Sequence, residues 1–259
     1  HTSGLPRMPT NFRPADPKDP FADYTVARLY EFLASYELTR DPGETWLYSN
    51  IGYGLLGHAL ERRAGAPYAK LVAERLLGPL GMKETSVGFS PTLQKRAVQG
   101  FDDAFAPAPM WDLGPLPAAG AIRSTASDML AFAAANLSPG GDRLRGAMRA
   151  AHVPRVPMKE GQHVGLAWMV ARPGARTITW HWGGTGGFRT YLGLDLQARR
   201  AVVVLTNASQ MWNDFGHNLL DPEAPLAPAS ADGLFAKLVR DEGLDAALAR
   251  LRELKAKEP

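Results

Sequence analysis

The chain has 259 residues, 45% apolar and 21% charged, with a formal net charge of +3, enough to bury the core of one large domain. Its Lys and Arg are scattered, which argues against nucleic acid as the main partner, and no apolar run reaches the roughly 20 residues of a membrane-spanning helix. The absence of cysteine excludes a thiol nucleophile, a thiolate metal site and a disulfide framework; the six histidines include no His-x-x-x-His pair, so neither a metal nor any other cofactor is expected.

The opening "HTSGLP" (1–6) reads as the inside of a protein rather than its beginning, and residues 6–22 are a Pro-rich loop. Between Tyr24 and Leu38, Val26, Leu29, Tyr30, Leu33 and Tyr36 recur at helical spacing. After a turn at Pro42-Gly43, a second helix is predicted from Ile51 to Arg63, with Asn50 a good N-cap by composition and Gly65 closing it. Gly52, Gly54 and Gly57 inside it each cost about 1 kcal/mol against Ala, which implies close packing against another element. Pro67 opens a third helix through about Leu77, and residues 86–120 are loop-rich. Thr125, with Asp128 three places on, is a capping signature for a helix to about Leu137.

From residue 164 the period changes. "VGLAWMVA", "TITWHW", "FRTYLGLDL" and "AVVVLTN" read as antiparallel strands joined by hairpins, the last apolar enough to be covered on both faces. Helices followed by such a sheet predict an α+β domain over 1–220. Pro222, Pro225 and Pro228 make 221–232 a stiff linker, and 233–259 reads as a helical extension broken near Gly243.

Three local signals bear on chemistry: "HTSGLP", Tyr48-Ser49-Asn50, and His181-Trp182-Gly183-Gly184 running into Thr185-Gly186-Gly187. Acyl transfer through a serine needs an activated hydroxyl, a base and hydrogen-bond donors for the oxyanion. A tyrosine serves as base only where cations lower its pKa, and a glycine-ended edge strand can offer a backbone N–H to the oxyanion. Each signal alone is weak. Tyr-x-Asn is usually packing plus a cap, and a histidine before glycines is usually structural. The glycines at 183–187 miss the dinucleotide-loop spacing and precede a strand, so their plain reading is a tight hairpin.

In this order, "HTSGLP", "PGETWLYSNIGYGLLGHALE", "ERLLGPLGMKET", "GAIRSTASDMLAF" and "HWGGTGGFRTYLGLD" resemble successive landmarks of the serine β-lactamase and penicillin-binding-protein family, over about residues 1–210. The likeness is to its class C, D,D-carboxypeptidase/endopeptidase and esterase branch. It implies an antiparallel sheet flanked by helices with an all-helical subdomain. It implies also that Tyr48 helps deprotonate the nucleophile and later activates water, and that Asn50 holds the motif lysine and the substrate carbonyl. His181 matches the cation-side residue of the strand, Gly183 the glycine along which substrate lies, and Gly184 the position whose N–H completes the oxyanion hole.

Two departures stand out. No serine is followed by Lys three residues later; only Thr92 with Lys95 matches, in a loop-like stretch on the wrong side of Tyr48. The resemblance therefore implies that Ser-x-x-Lys precedes residue 1, that the N-terminal part of the fold is missing, and that this chain alone is inactive and destabilised. Trp182 stands where many relatives carry Thr, Ser or Asn, which disfavours a β-lactamase proper. The expected function of the intact protein is a periplasmic or secreted serine hydrolase forming an acyl-enzyme on D-alanyl-D-alanine peptides of peptidoglycan. A carboxylesterase or β-lactamase of the same family is the alternative, and a non-catalytic penicillin-binding module the second. The C-terminal stretch resembles the opening of a helical-repeat extension, a single helix packing back being the competing reading.

Overall fold

The computed structural model describes residues 1–88, 91–138, 140–159, 161–172, 176–209, 213–222, 224 and 246. Almost all of the expected linker and C-terminal extension lies outside these residues.

Helix α1 (Val26–Ser35) begins where the Thr25 hydroxyl accepts from the Arg28 N–H, and ends where Tyr36 turns extended, so it is shorter at both ends than predicted. Its apolar stripe buries Leu29 and Phe32 completely, against Ile51 and Leu116. Helix α2 (Asn50–Ala64) is capped by Ser49, not by Asn50, which is its first helical residue. The Ser49 hydroxyl accepts from the Gly52 N–H at 2.9 Å while donating to the Pro6 carbonyl at 2.7 Å, so one side chain satisfies the helix end and ties down the N-terminal segment. Gly65 closes α2 in the left-handed region (φ 63°).

The glycines inside α2 have the reason the sequence suggested. A Cβ on Gly54 would lie 2.5 Å from Leu116 Cδ2, and one on Gly57 2.5 Å from Ala118 Cβ, at the 3-10 turn Pro117–Ala119. Gly54→Ala is expected to destabilise the protein by about 1–3 kcal/mol despite its better helix propensity, because Leu116 has nowhere to retreat. Urea unfolding checks this; an unchanged midpoint would mean that α2 shifts away at no cost.

Helix α3 (Tyr68–Val72) runs through a π-helical turn (Ala73–Leu77) into the short α4 (Gly78–Leu80). Among its described residues the loop-rich stretch holds β1 (Ser86–Val87), α5 (Pro91–Gln94), β2 (Gly100–Phe101), β3 (Pro107–Ala108) and the 3-10 turn, and β4 (Ile122–Arg123) follows it. Helix α6 (Ala126–Leu137) starts as read, with Thr125 accepting from the Asp128 N–H. The Asp128 carboxylate does not return to the cap; it accepts from the Glu84 N–H and the Thr85 hydroxyl and anchors the chain behind it. Helix α7 (Arg143–His152) was not foreseen.

The main sheet is an antiparallel meander of β5 (Val156–Pro157), β6 (His163–Val164), β7 (Met169–Ala171), β8 (Ile178–Thr185), β9 (Phe188–Asp195) and β10 (Arg200–Thr206), each beside the next. "VGLAWMVA" is not one strand. Gly165 approaches the Ala151 carbonyl too closely for any side chain, and Ala167 takes φ 72°, so the run folds into the β6–β7 hairpin. The last strand, β10, is an edge: α6 and helix α8 (Asn213–Leu220) both contact it, yet Leu205 keeps 38% of its surface exposed, so it is half-buried rather than covered. Trp180, Tyr191 and Leu220 form the core on one side of the sheet; Ala133, Trp168, Leu192 and Leu194 form it on the other. The α+β architecture with a helical region against an antiparallel sheet is as predicted. No described helix is long and apolar enough to cross a membrane.

Candidate active site

Residues 1–8 are laid along the entry to α2. The Leu47 N–H donates to the His1 carbonyl (2.8 Å), the Ser49 N–H to His1 Nδ1 (3.1 Å) and the Asn50 N–H to the Arg7 carbonyl (3.0 Å). Asn50 Nδ2 lies 3.5 Å from Met8 Sδ. "HTSGLP" and Tyr48-Ser49-Asn50, forty residues apart in sequence, are thus one structural unit.

Onto this unit converge four rings. His1 stacks on Tyr48 with centroids 4.0 Å apart and meets Tyr53 edge-on at 4.8 Å; His181, from β8, lies 6.3 Å from Tyr48 and 6.4 Å from His1. The Arg7 guanidinium carbon sits 4.9 Å from the centre of the Tyr48 ring. Burial pushes the Tyr48 phenol above its ordinary value, and Arg7 offsets only part of that rise. Burial also raises Tyr53, against a smaller opposing pull from the Ala167 backbone. Desolvation lowers the pKa of His181, against a smaller opposing pull from the Trp182 backbone, so at neutral pH it is a neutral imidazole.

All five residues singled out in the sequence (Tyr48, Asn50, His181, Gly183 and Gly184) line one cavity of about 1050 Å³ between the helical region and the sheet. Strand β7 pairs with β8 only along Ile178–Trp180, so beyond that point the β8 edge from His181 to Thr185 opens on the cavity. A Cβ on Gly183 would lie 2.7 Å from Thr190 Oγ1 and would push that side chain aside. Trp182 packs onto the cluster of Trp180 and Tyr191 and brings no hydroxyl. The cavity serines are all engaged: Ser49 as cap, Ser86 donating to the Gly88 carbonyl and Ser124 paired with Thr85. Neither Thr92 nor Lys95 reaches the cavity.

Sequence reasoning assigned no role to His1, Arg7 or Tyr53. Tyr53 was accessible, since it lies one helical turn beyond Asn50 on the same face. His1 opened a run quoted only as a landmark, and nothing in the sequence marked Arg7.

His181 and the buried His152, whose Nε2 is 2.9 Å from Asn136 Oδ1, are both held below the ordinary histidine value by desolvation. Between that depressed value and about 6.5 the unfolded chain binds more protons than the folded one, so stability rises with pH through this window. The loss on acidification is at most about 1.4 kcal/mol per pH unit for each group. Melting followed from pH 7.5 to 5 should show a falling midpoint, shallower in His152→Gln; a flat curve in the parent contradicts the assignment.

The sequence profile of the family described as "Beta-lactamase" matches residues 1–224. The chain belongs to that family. The D-alanyl-D-alanine-carboxypeptidase/endopeptidase AmpH of Escherichia coli K12 is 29% identical over 253 residues, 89% of this chain and 64% of that protein. A human protein named putative beta-lactamase-like 1 is 38% identical over 108 residues, 41% of this chain and 22% of its own length. Among solved structures, a beta-lactamase/D-alanine carboxypeptidase from Yersinia pestis superposes with TM-score 0.65 at 30% identity, covering 82% of this chain and 62% of that one. A class C beta-lactamase at TM-score 0.72 and 19% identity shares the fold, over 88% of this chain and 68% of its own. The chain therefore spans less than two thirds of the length of the first of these beta-lactamase relatives.

Proposed function

We propose that the intact protein is a serine hydrolase acting through an acyl-enzyme on D-alanyl-D-alanine peptides of peptidoglycan, in the periplasm or outside the cell. The observation that carries this reading is the convergence of the Tyr48 phenol and the His181 imidazole beside the open glycine edge of β8, in one cavity. The carboxypeptidase names of AmpH and of the Yersinia pestis protein favour the same substrate class.

The nucleophile is the serine of a Ser-x-x-Lys on sequence outside these 259 residues, and the chain by itself is inactive. Tyr48 is the base once two cations, Arg7 and the motif lysine, offset the burial that otherwise keeps it protonated. The seryl proton passes to the phenolate as Oγ bonds to the scissile carbonyl carbon. As the C–N bond breaks, the phenol returns that proton to the departing D-alanine amine. A water that gives a proton to the same phenolate then attacks the acyl ester, and the phenol passes that proton to the departing seryl oxygen, which frees the serine. Gly184, exposed on β8, gives its N–H to the oxyanion; Gly183 leaves the strand edge clear for substrate; Asn50 orients the lysine and the substrate carbonyl. His181, uncharged, lends a hydrogen bond rather than a field.

Full-length protein challenged with a fluorescent penicillin should carry covalent label that a Ser-x-x-Lys serine-to-alanine change abolishes; absence of label counts against the whole reading. An esterase is the second reading, favoured by Trp182 in place of a small hydroxyl residue and by the exposed apolar Ile122 and Leu205 in the cavity wall. Comparing nitrophenyl butyrate with D-alanyl-D-alanine hydrolysis separates the two. The division into 1–220, 221–232 and 233–259 is part of this proposal, the last two segments being a linker and a helical extension.

A further inference from the structure

The charges around the cavity do not balance. Among the described residues its walls carry three guanidinium groups (Arg7, Arg96 and Arg123) against a single carboxylate, Glu84. Arg96 is paired with Glu84, and Arg123 donates to the Trp111 carbonyl at 2.7 Å. The imidazole on β8 adds no charge, since burial keeps it neutral. What is left is Arg7. No carboxylate among the described residues pairs with its guanidinium, the residue is exposed, and its backbone is fixed because the Arg7 carbonyl accepts the Asn50 N–H. Its charged end lies over the Tyr48 ring, beside the reacting groups of the proposed mechanism.

A guanidinium with a fixed base, a free fork of donors and an aromatic platform beneath it is suited to two-point recognition of a carboxylate. We infer that Arg7 is the specificity-determining residue of this site, binding the free carboxylate of an anionic substrate and holding it beside Tyr48. This rests on the hydrolase reading above and narrows it: substrates ending in a carboxylate are preferred over neutral isosteres, and the choice is made on the "HTSGLPR" segment rather than on β8. It also explains how Trp182 is tolerated, because the anion need not be bound by a hydroxyl on that strand. Arg7 thereby acts twice, on the substrate and as one of the cations under which the phenol ionises.

The test uses the full-length protein and two substrates that differ in one group, N-acetyl-D-alanyl-D-alanine and its C-terminal carboxamide. The parent should prefer the acid in kcat/KM by about tenfold to a hundredfold, the range of a charge-assisted hydrogen-bonded contact. The preference should shrink between 0.05 and 0.5 M salt, taken as rough bounds, because Arg7 is exposed. Arg7→Gln should bring the ratio to within about twofold of unity and Arg7→Lys should keep part of it, since a lysine supplies charge without the fork. A parent with no preference, or an Arg7→Gln protein that slows both substrates alike and keeps the ratio, overturns the inference.

Should neither substrate turn over, the D-alanyl-D-alanine peptidase reading is what has failed, and calorimetry with N-acetyl-D-alanine and N-acetyl-D-alaninamide still decides this one. Tighter binding of the acid by the parent, lost in Arg7→Gln, supports it; equal binding in the parent ends it.

Discussion

Tyr48→Phe in the full-length protein should slow acylation by a fluorescent penicillin by about 10²–10⁴-fold, the range in which positioned general acid–base groups contribute. The Tyr48 ring is held by the stack with His1, by Arg7 and by the sheet core it packs against, all of which phenylalanine retains. What disappears is the oxygen that carries the proton. The variant should therefore melt within a degree or two of the parent while losing rate, and the limb of the pH–rate profile that reports the phenol should vanish with it. A loss below tenfold, or a profile unchanged in shape, would place the base elsewhere in the cavity.

Gly187→Ala should cost about 3 kcal/mol of stability, from strain at a positive φ together with overpacking. Gly187 takes φ 71° at the tip of the β8–β9 hairpin, where Thr185 pairs with Phe188, and a Cβ there would lie 2.6 Å from the Gly100 carbonyl carbon and the Phe101 nitrogen. The neighbour is backbone and cannot step aside. Its Phe101 N–H is shared between the Gly187 and Asn207 carbonyls, so displacement also breaks the tie between hairpin and β2. At this chain length the shift in melting temperature is about 6–12 °C. A variant that melts with the parent would show that β2 yields freely, and that the hairpin is not fixed from that side.

How far the sequence could be read depended on whether the deciding contact was local. Thr125 and Gly65 were legible because a cap is settled within four residues. The cap of α2 was misplaced by one position because Ser49 was chosen over Asn50 by Pro6, a partner forty-three residues away. "VGLAWMVA" has the composition of a strand, and nothing in its pattern discloses that Gly165 must pass beneath the Ala151 carbonyl. Helix α7 escaped although "RLRGAMRAAH" is as amphipathic as α1 and Asp142 caps it locally; its many arginines mask a stripe that buries only Met148 and His152. The site divides in the same way. Tyr48, Asn50 and the glycines came from an ordered set of motifs, while the neutrality of His181 is a consequence of burial, and the place of Arg7 follows from the docking of two distant segments.

That docking has a consequence for how the molecule tolerates change. With residues 1–8 fastened across residues 47–50, the stretch between them, α1 included, is a closed excursion whose two feet are pinned side by side. Its exposed surface can drift without moving the reactive rings so long as Leu29 and Phe32 stay packed under α2, whereas a single proline at Leu47 or Ser49 would strip a donor from a foot and let it splay. Amide exchange should register the same asymmetry, with the Leu47, Ser49 and Asn50 protons opening together and more slowly than those of the intervening loop.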